Sequence, residues 1–216
     1  MQQTIAPAPA PLLSLGAGGQ GKVAGDTAAQ AGEQHIVFAD DAWPGLQSCS
    51  IWPVVGPASL AALRTLTDRL HIAVGVGALR ERFANEALSL GFTLVTLKHP
   101  SAVVSPRASI AAGCYLGPLS CVNIDAVLGS CAIVNTSASV DHDCQIGAFT
   151  HIAPGAHLAG GVCVGTRSWV GLGASVRGGI QIGDDVMVGA GAAVVSNVAD
   201  GLTVTGVPAR AAVPRA

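Results

Sequence analysis

An imidazole beside a carboxylate is the first feature of this sequence that could carry chemistry. His142 is followed directly by Asp143, and Gly160 stands further along the chain. A neutral imidazole, with an ordinary pKa of about 6.5, can take up a proton near neutral pH, and a carboxylate on its other nitrogen fixes the tautomer. A main-chain N–H such as that of Gly160 can face developing negative charge. A base and such a donor at one place are what acyl transfer needs. No cysteine occupies the edge position that His142 holds in the repeat, so an acyl-cysteine intermediate has no support.

A glycine-rich segment near the start is the second feature. Residues 16–21 read G-A-G-G-Q-G and follow the apolar segment 12–15. Main-chain N–H groups at such a turn can hold phosphate oxygens, helped by the start of the following helix. Asp40 stands just after the next apolar segment, 36–38, where an acid could reach a ribose hydroxyl. The pattern is compatible with a dinucleotide oxidoreductase, with a site for one nucleotide diphosphate, or with a turn that binds nothing. Only one mononucleotide-binding half is present, so we expect one nucleotide diphosphate.

The composition excludes several function classes. Half of the 216 residues are hydrophobic, but only 4% are aromatic and 11% are charged, so the core must be filled with Val, Ile, Leu and Ala. The net charge of −2 gives no electrostatic basis for binding nucleic acid or an anionic membrane. The six cysteines form no C-x-x-C pair. With no leader or long apolar segment visible, we expect a reduced, soluble, cytoplasmic protein with no metal and no membrane partner.

An aliphatic residue recurs at every sixth position through the second half of the chain. Each such hexad predicts a short strand and a tight corner, and three hexads make one triangular coil of roughly 18 residues, about five coils in all. The register breaks at Lys98 and at Asp200. All sixteen positions are Val, Ile or Leu: Val104, Ile110, Leu116, Val122, Leu128, Val134, Val140, Ile146, Ile152, Leu158, Val164, Val170, Val176, Ile182, Val188 and Val194.

The same repeat places the candidate base and donor together. His142 lies two positions after Val140, and Gly160 lies two after Leu158. Residues one coil apart should stack at the same edge of the prism, with main chains about 4.8 Å apart. We therefore expect the imidazole and the main-chain amide to share one site.

The first hundred residues have a different hydrophobic pattern. Their pattern predicts the order β-α-β-α-β-α-β, a small parallel sheet covered by helices. We expect an extended or disordered start (1–10), an α/β nucleotide-binding domain (11–100), a β-helix (101–198) and a C-terminal tail (199–216). The predicted strands lie at 12–15, 36–38, 72–74 and 92–97, and the helices from about 22, near 57–70 and at about 79–90.

A glycine-loop domain followed by hexapeptide repeats resembles one family of bacterial sugar acetyltransferases, over about residues 11–210. It includes the sialic acid O-acetyltransferases and the N-acetyltransferases of UDP-linked 4-amino sugars and of GDP-perosamine. The resemblance implies that the β-helix is left-handed, and that the pathway makes a surface polysaccharide or glycan. Five motifs carry it: LGAGGQGKV (15–23), FADD (38–41), AVGVG (73–77), NTSASVDHDCQIGAFTHIAPGAHLAGGVCVG (135–165) and GVPAR (206–210).

The resemblance also implies residue roles. His142 would be the general base and Asp143 would orient it. His151 would contact acetyl-CoA, and the Gly160 N–H would face the thioester carbonyl. The coenzyme would lie between subunits of a homotrimer, and Asn135 would lie near the sugar. Leu172 and Ala190 would flank the coenzyme, and the nucleotide-binding residues would be Gly18, Gly19, Gln20, Asp40, Asp41 and Gly75.

Two departures from the family pattern leave the nucleotide open between UDP and GDP. Gln20 stands where the family usually has His, and Val76-Gly77 replaces its usual Asn or Asp. Because a nucleotide site is predicted, we favour N-acetylation of a nucleotide-linked 4-amino-4,6-dideoxy sugar from acetyl-CoA. O-acetylation of a sugar hydroxyl would use the same base and is the first alternative.

Two alternatives belong to other function classes. A zinc enzyme of the γ-carbonic-anhydrase type needs three His, but the spacings of nine and six among His142, His151 and His157 do not match its pattern. A non-catalytic nucleotide-sugar scaffold would not need the pair at 142 and 160. Of the other histidines, we expect His35 and His71 at the surface. We expect His99 to be structural, and His157 to lie at the surface or an interface.

Overall fold

The α/β part of the chain is built on one six-stranded sheet. The structure is a computed structural model and describes residues 10–212. The start expected at 1–10 lies outside these residues except for Ala10, whereas residues 199–212 of the tail expected at 199–216 are described and include two strands. None of the helices described is long and apolar enough to cross a bilayer. The elements are β1 (Leu12–Leu15), α1 (Gly19–Gln30), β2 (Ile36–Ala39), β3 (Ser48–Cys49), β4 (Trp52–Gly56), α2 (Leu60–Leu63), β5 (Arg69–Ile72), α3 (Gly77–Ser89) and β6 (Thr93–Leu94).

The sheet has the strand order β3-β4-β2-β1-β5-β6, and every pair is parallel except β3–β4. The predicted parallel sheet is confirmed. From β1 the chain passes to β2 on one side and later to β5 on the other, so the direction of winding reverses beside β1. Ligands of open α/β sheets bind at the carboxyl ends of strands at such a point. The glycine loop, which directly follows β1, lies there.

Three local expectations for this domain were wrong. The helix expected over 57–70 is only four residues long, Leu60–Leu63. After a turn at residues 64–66, the Thr67 hydroxyl donates to the Pro11 carbonyl at 2.8 Å and accepts from the Arg69 N–H at 3.1 Å, where a helix over 57–70 would still continue. Such side-chain bonds compete with helical ones. The antiparallel pair β3–β4 was not predicted. The strand expected at 72–74 lies at Arg69–Ile72, and the strand expected at 92–97 is divided between β6 and a first strand of the β-helix at Leu97–Lys98.

The second part of the chain is a parallel β-helix of two-residue strands, as the hexads predicted, and it is left-handed, as the resemblance implied. Its strands form three sheets that close a triangular prism. We call them the docking face (β7, β10, β13, β16, β19, β22, with β24 and β25 at the end), the second face (β8, β11, β14, β17, β20, β23) and the third face (β9, β12, β15, β18, β21). The strands are β7 (Leu97–Lys98), β8 (Val103–Val104), β9 (Ser109–Ile110), β10 (Tyr115–Leu116), β11 (Cys121–Val122), β12 (Val127–Leu128), β13 (Ile133–Val134), β14 (Ser139–Val140), β15 (Gln145–Ile146), β16 (His151–Ile152), β17 (His157–Leu158), β18 (Cys163–Val164), β19 (Trp169–Val170), β20 (Ser175–Val176), β21 (Gln181–Ile182), β22 (Met187–Val188), β23 (Ala193–Val194), β24 (Thr203–Thr205) and β25 (Arg210–Ala211).

From β8 to β23, the second residue of each short strand points into the prism. Val140, Leu158 and Ile152 are at most 1% exposed, and they belong to one continuous aliphatic core. Corners between strands hold a residue in the left-handed region, such as Asp143 with φ 59°. Gly, Asn and Asp adopt this region most readily, which accounts for the many glycines at corners.

The β-helix extends past both ends of the predicted range 101–198. β7 pairs in parallel with β10, so a first strand already lies at 97–98. Lys98 broke the hexad pattern because it is the exposed end of that strand. At the other end, β24 (Thr203–Thr205) pairs in parallel with β22. Ile182 bridges to Val198, whereas three full hexads would bring it beside Asp200. Because this last coil is shorter than the others, the aliphatic position falls at Val198 and Asp200 is not a core position.

The α/β domain packs on the docking face. The Tyr115 hydroxyl on β10 is 3.0 Å from the Thr27 hydroxyl on α1, and Tyr115 is fully buried. His99 is buried as a structural residue and bonds to Gln30 on the same helix. The second and third faces, and the edge between them, carry no part of the α/β domain that the structure describes.

Truncation of the prism core should destabilise the fold strongly. Ile152 is fully buried, so Ile152→Ala should lower the free energy of unfolding by about 2–5 kcal/mol through lost transfer energy and a residual cavity. Urea denaturation at fixed protein concentration measures this. Leu88 on α3 is 56% exposed, and Leu88→Ala should change stability by no more than about 0.5 kcal/mol. Equal losses for the two variants would contradict the assignment of Ile152 to the core.

Candidate active site

The edge between the second and third faces holds an exposed imidazole with two acids. The His142 Nδ1–H donates to Asp143 Oδ2 at 2.7 Å, which leaves the lone pair of Nε2 free. The His142 main-chain N–H donates to Asp141 Oδ1 at 2.8 Å, and Asn123 donates to the same oxygen at 2.7 Å. The side chain of His142 is 56% exposed. The corner therefore presents a proton acceptor to solvent in a fixed orientation.

The acids raise the proton affinity of this imidazole. The hydrogen bond to Asp143 is the largest cause of the raised pKa of His142, and the charge of Asp141 adds to it. In turn, the hydrogen bond from the His142 N–H is the largest cause of the lowered pKa of Asp141, followed by the bond from Asn123. Asp141 thus stays ionised beside the imidazole. The sequence analysis did not single out Asp141 or Asn123, because their contact exists only once coils stack.

Gly160 lies directly against the His142 ring, one coil further along. A methyl group on its Cα would overlap the imidazole. The Gly161 N–H donates to the His142 carbonyl at 2.9 Å, which fixes the spacing of the two corners. Within the part of the chain that the structure describes, the Gly160 N–H has no acceptor. The predicted neighbours are therefore together, and glycine is required because no other residue leaves room for the ring.

A pocket of about 170 Å³ lies at the point of strand reversal in the α/β domain. It opens beside the carboxyl ends of β1, β2 and β5, where nucleotide sites of such sheets are found. Its lining is both acidic and basic, with an aromatic wall. The lining residues are Leu15, Gly16, Asp40, Asp41, Ala58, Val74, Leu79, Arg82 and Phe83.

The two acids of this pocket also hold its loops. Asp40 accepts the Ala17 N–H at 2.8 Å and the Ala42 N–H at 2.9 Å, so it braces the glycine loop. Asp41 accepts the Ala58 N–H at 3.0 Å through one oxygen. The second carboxylate oxygen of Asp41 makes no hydrogen bond to the described residues. Asp41 is therefore more available to a ligand than Asp40.

The glycine loop leads into α1, whose N-terminal end is open. A methyl group on Gly18 or Gly19 would meet nothing within 4 Å, so a ligand can approach the main chain there. A methyl group on Gly21 would instead overlap the Gly16 carbonyl, so Gly21 lets the helix pack on the loop. The first N–H groups of α1 have no partners within the helix and suit an anion.

A buried polar cluster joins the glycine loop to the β-helix. Asn135, which is 7% exposed, donates through Nδ2 to His151 Nε2 at 3.0 Å and to Gln20 Oε1 at 3.4 Å. The Gln20 Nε2 is buried and has no partner within residues 10–212. Gly75 lies beside the cluster, with its carbonyl 3.5 Å from His151 Nδ1. The fold thus brings together four of the predicted site residues: Gln20, Gly75, Asn135 and His151.

His151 is interior rather than exposed. It is 4% exposed, and its ring lies 4.0 Å from the Trp169 ring between centroids. Burial is the main cause that lowers the pKa of His151 to about 3, and the charge of Arg80 lowers it further. The imidazole is neutral at physiological pH. In a single chain both of its nitrogens face protein groups, so its predicted contact with the coenzyme is not apparent from this geometry.

The predicted site residues fall into two groups on opposite sides of the prism. His142 and Gly160 lie at the edge between the second and third faces, opposite the docking face. Leu172 and Ala190 lie in successive coils at the edge between the docking and second faces, where the Gly191 N–H donates to the Leu172 carbonyl at 2.7 Å. Asn135 lies at the same edge. One chain does not bring these two groups into contact.

Other histidines differ from expectation in one case. The expectation that His71 is at the surface was wrong: it is 1% exposed and bonds to the Val95 carbonyl at 2.9 Å, and burial lowers its pKa to about 4. His157 is exposed on the second face and bonds to the Ser139 hydroxyl at 2.9 Å.

Among residues 10–212, no three His, Cys, Asp or Glu side chains converge as a metal site within one chain would require.

Arg80 and Trp169 are functional candidates that the sequence analysis missed. Arg80 lies in α3 and is 1% exposed, and Trp169 packs on His151. An Arg in a helix with several charged residues is ordinarily solvent-exposed, so no pattern marks Arg80.

A triangular β-helix with an imidazole and a free main-chain N–H stacked at one edge, preceded by an α/β domain with a glycine loop, defines an acyltransferase of the hexapeptide-repeat class.

Comparisons with known proteins agree with this class. Residues 12–87 match the family model of the PglD N-terminal domain. The acetyltransferase domain of PglB from Neisseria gonorrhoeae is 40% identical over 94% of this chain and 100% of its own, with a TM-score of 0.90. PerB from Caulobacter crescentus, solved with CoA and GDP-perosamine, is 40% identical over 95% of this chain and 99% of its own, with a TM-score of 0.87.

Among curated proteins, GDP-perosamine N-acetyltransferase of Escherichia coli O157:H7 is 29% identical over 129 residues. These residues are 60% of this chain and 58% of that protein, so the match spans little more than half of the relative. The chain belongs to the hexapeptide-repeat family of sugar acetyltransferases.

Removal of the Asp143 charge should lower the proton affinity of His142. Because the hydrogen bond to Asp143 is the largest cause of the raised pKa, Asp143→Asn should shift the titration of the His142 ring to lower pH. NMR titration of the imidazole signals measures this. Asp125 occupies the equivalent corner one coil earlier, also with positive φ, and Asp125→Asn should leave the titration unchanged. An unshifted His142 in Asp143→Asn would contradict the geometry of the pair.

Proposed function

We propose that this enzyme transfers the acetyl group of acetyl-CoA to the amino group of a nucleotide-linked 4-amino-4,6-dideoxy sugar. The observation that carries the proposal is the exposed His142 imidazole, held by Asp143 and packed on Gly160, whose N–H is free among the described residues. The relatives support the substrates. PglB of Neisseria gonorrhoeae was solved with acetyl coenzyme A, and PerB of Caulobacter crescentus with CoA and GDP-perosamine.

The residues at this edge supply the steps of a direct transfer. The sugar amine attacks the thioester carbon, and His142 Nε2 accepts the proton that the amine loses. The Gly160 N–H donates to the carbonyl oxygen as it becomes negative. The C–S bond then breaks, and the imidazolium returns the proton to the CoA thiolate. Asp143 holds the Nδ1–H throughout, so that Nε2 always faces the reacting groups.

The proton affinity of His142 suits this role. A general base works best when its pKa lies near the operating pH, because it must be both unprotonated and basic. The two acids raise the pKa of His142 from its ordinary value, which strengthens it as a base. Burial lowers the pKa of His151 to about 3, so its imidazole is a weak proton acceptor and is not the base in this proposal.

The α/β domain supplies the nucleotide site in this proposal. The pocket beside β1 would take the base and ribose next to Asp41, and the open main chain of Gly18 and Gly19 would take the diphosphate. The buried Gln20 Nε2, which lacks a partner among the described residues, would donate to a diphosphate oxygen. The named relatives make GDP-linked sugars the first to test, before UDP-linked ones.

We further propose that the enzyme works as a homotrimer with its sites between subunits. The nucleotide loop lies on the docking face, whereas His142 lies on the opposite edge, so one chain cannot present both to one substrate. Exposed aliphatic side chains near both edges support contact between subunits. Leu119 is 67% exposed, Leu172 58% and Ile124 40%. In a closed ring, the His142 edge of one subunit would meet the Asn135 edge of the next.

Replacement of the base should abolish turnover but not binding. His142→Asn should lower kcat by about 10²–10⁴, the usual contribution of a general base, in an assay of free thiol with acetyl-CoA and GDP- or UDP-linked 4-amino sugars. Caulobacter structures with one histidine replaced by Asn or by Ala still contain CoA and GDP-perosamine. His35 is exposed, and His35→Asn should retain full activity.

Outcomes of this assay separate the alternatives. Near-normal turnover of His142→Asn would refute the assignment of the base. Thiol release with sugars that offer only a hydroxyl, and none with the amino sugars, would replace N-acetylation by O-acetylation. An absence of thiol release with tight nucleotide-sugar binding would favour the scaffold.

Mixing two inactive variants should test the shared site. Gly18→Asp adds a carboxylate where the diphosphate would lie, in open space that tolerates the side chain. Trimers reassembled from equal amounts of Gly18→Asp and His142→Asn should recover about a quarter of the sites, because neighbouring subunits then contribute one intact half each. A mixture that stays inactive, or a fully active monomer in light scattering, would contradict the arrangement.

A further inference from the structure

The guanidinium of Arg80 is buried at the junction of the two domains and is fully hydrogen-bonded. An arginine carries five N–H donors, and five main-chain carbonyls accept from this one. Nε donates to Cys131 at 2.8 Å, one terminal nitrogen to Val74 at 2.6 Å and Gly75 at 2.9 Å, and the other to Phe149 at 2.5 Å and Thr150 at 3.4 Å. No carboxylate is among these partners.

These carbonyls belong to both domains. Val74 lines the nucleotide pocket, and Gly75 follows it in the chain between β5 and α3. Cys131 and Phe149 occupy corners of two successive coils, where the Phe149 N–H donates to the Ser130 carbonyl at 2.9 Å. One side chain therefore ties the wall of the nucleotide pocket to two coils of the β-helix.

Stability alone does not account for such a group. A buried cation is costly to desolvate, and here burial lowers the pKa of Arg80 to about 10. Replacement of buried ionic groups by apolar side chains of similar volume is often neutral or stabilising. The fork geometry of Arg80 is instead suited to setting the relative position of several main-chain segments, because each donor fixes one carbonyl.

The contacts of Arg80 continue to the buried polar cluster. Thr150, its partner on the β-helix side, precedes His151, and the Gly75 carbonyl lies 3.5 Å from His151 Nδ1. His151 in turn accepts from Asn135, which contacts Gln20 in the first turn of α1. The other close neighbour of His151 is Trp169, and Arg80 is the charged group that acts on the imidazole. The chain of contacts thus runs from Arg80 to the glycine loop.

We propose that Arg80 is the positioning residue that holds the nucleotide pocket and glycine loop in register with the β-helix, through Gly75, His151 and Asn135. The proposal rests on the proposed acetyl transfer for its kinetic consequence. Arg80 does not touch the reacting groups. It sets where a nucleotide-bound sugar can reach, and it fixes His151 as the neutral Nδ1–H tautomer that accepts from Asn135.

Kinetics of Arg80 variants test the effect on the reaction. Arg80→Met should raise the KM for the nucleotide-linked sugar about tenfold or more, since small misplacements of substrate are costly, and leave the KM for acetyl-CoA within about twofold. Arg80→Lys keeps the charge but has three donors, and should show an intermediate KM. Arg64→Met is the control, because Arg64 bonds to one carbonyl, that of Leu90, inside the α/β domain.

An NMR measurement separates this proposal from the proposed function. In the native protein, ¹⁵N signals of His151 should show the neutral Nδ1–H tautomer down to acidic pH. In Arg80→Met the tautomer pattern should be lost, or the ring should titrate at higher pH, whether or not the protein has acetyltransferase activity. In Arg64→Met the signals should match those of the native protein.

The opposite results overturn the proposal. A folded Arg80→Met with native KM and native His151 signals would do so. A loss of kcat in proportion to the unfolded fraction, at unchanged KM, would show a purely structural role. If Arg80→Met does not fold, Arg80→Lys decides, since a native KM with the fork removed would equally contradict positioning.

Discussion

Main-chain hydrogen bonds between successive coils determine the geometry of this protein. The Gly161 N–H donates to the His142 carbonyl at 2.9 Å, and the Gly179 N–H donates to the Gly160 carbonyl at 3.0 Å. Each coil therefore copies the position of the one before it, with corners stacked in line. Because the aliphatic core permits one register only, a side chain at a corner has a fixed neighbour in the next coil. His142 and the Gly160 N–H are held together by the same bonds that hold the prism.

The second constraint is the contact between the α/β domain and the docking face. It is made by aromatic packing at Tyr115, by the polar cluster around Asn135 and by the saturated guanidinium of Arg80. Buried polar groups that are paired across a domain contact fix the relative orientation of the domains, because each hydrogen bond is lost if the domains shift. This contact places the pocket beside β1 on one side of the prism, with His142 on the other. A site shared between subunits, as proposed, follows from that separation.

Much of the fold could be predicted because it is periodic. The hexads fixed the inward residues, the coil length and the stacking of His142 on Gly160, and all of these depend only on spacing along the chain. The glycine loop and the parallel sheet could also be predicted, because their signals lie in residues close together in the sequence. The predictions failed where the length of the repeat changes or where side chains compete with main-chain groups for hydrogen bonds. The Thr67 hydroxyl bonds to main-chain groups where the expected helix would continue, and the short coil before Val198 shifts the phase of the repeat.

What the sequence alone determined is the architecture and the pairing of residues one coil apart, because a regular repeat converts sequence distance directly into spatial distance. What only the tertiary structure decided is everything that depends on how the two domains meet. The burial of His151 and His71, the bonds by which Asp40 braces the loop and the hydrogen bonds of Arg80 all arise between segments with no fixed spacing. Contacts between unrelated segments depend on packing in three dimensions, which no periodicity records.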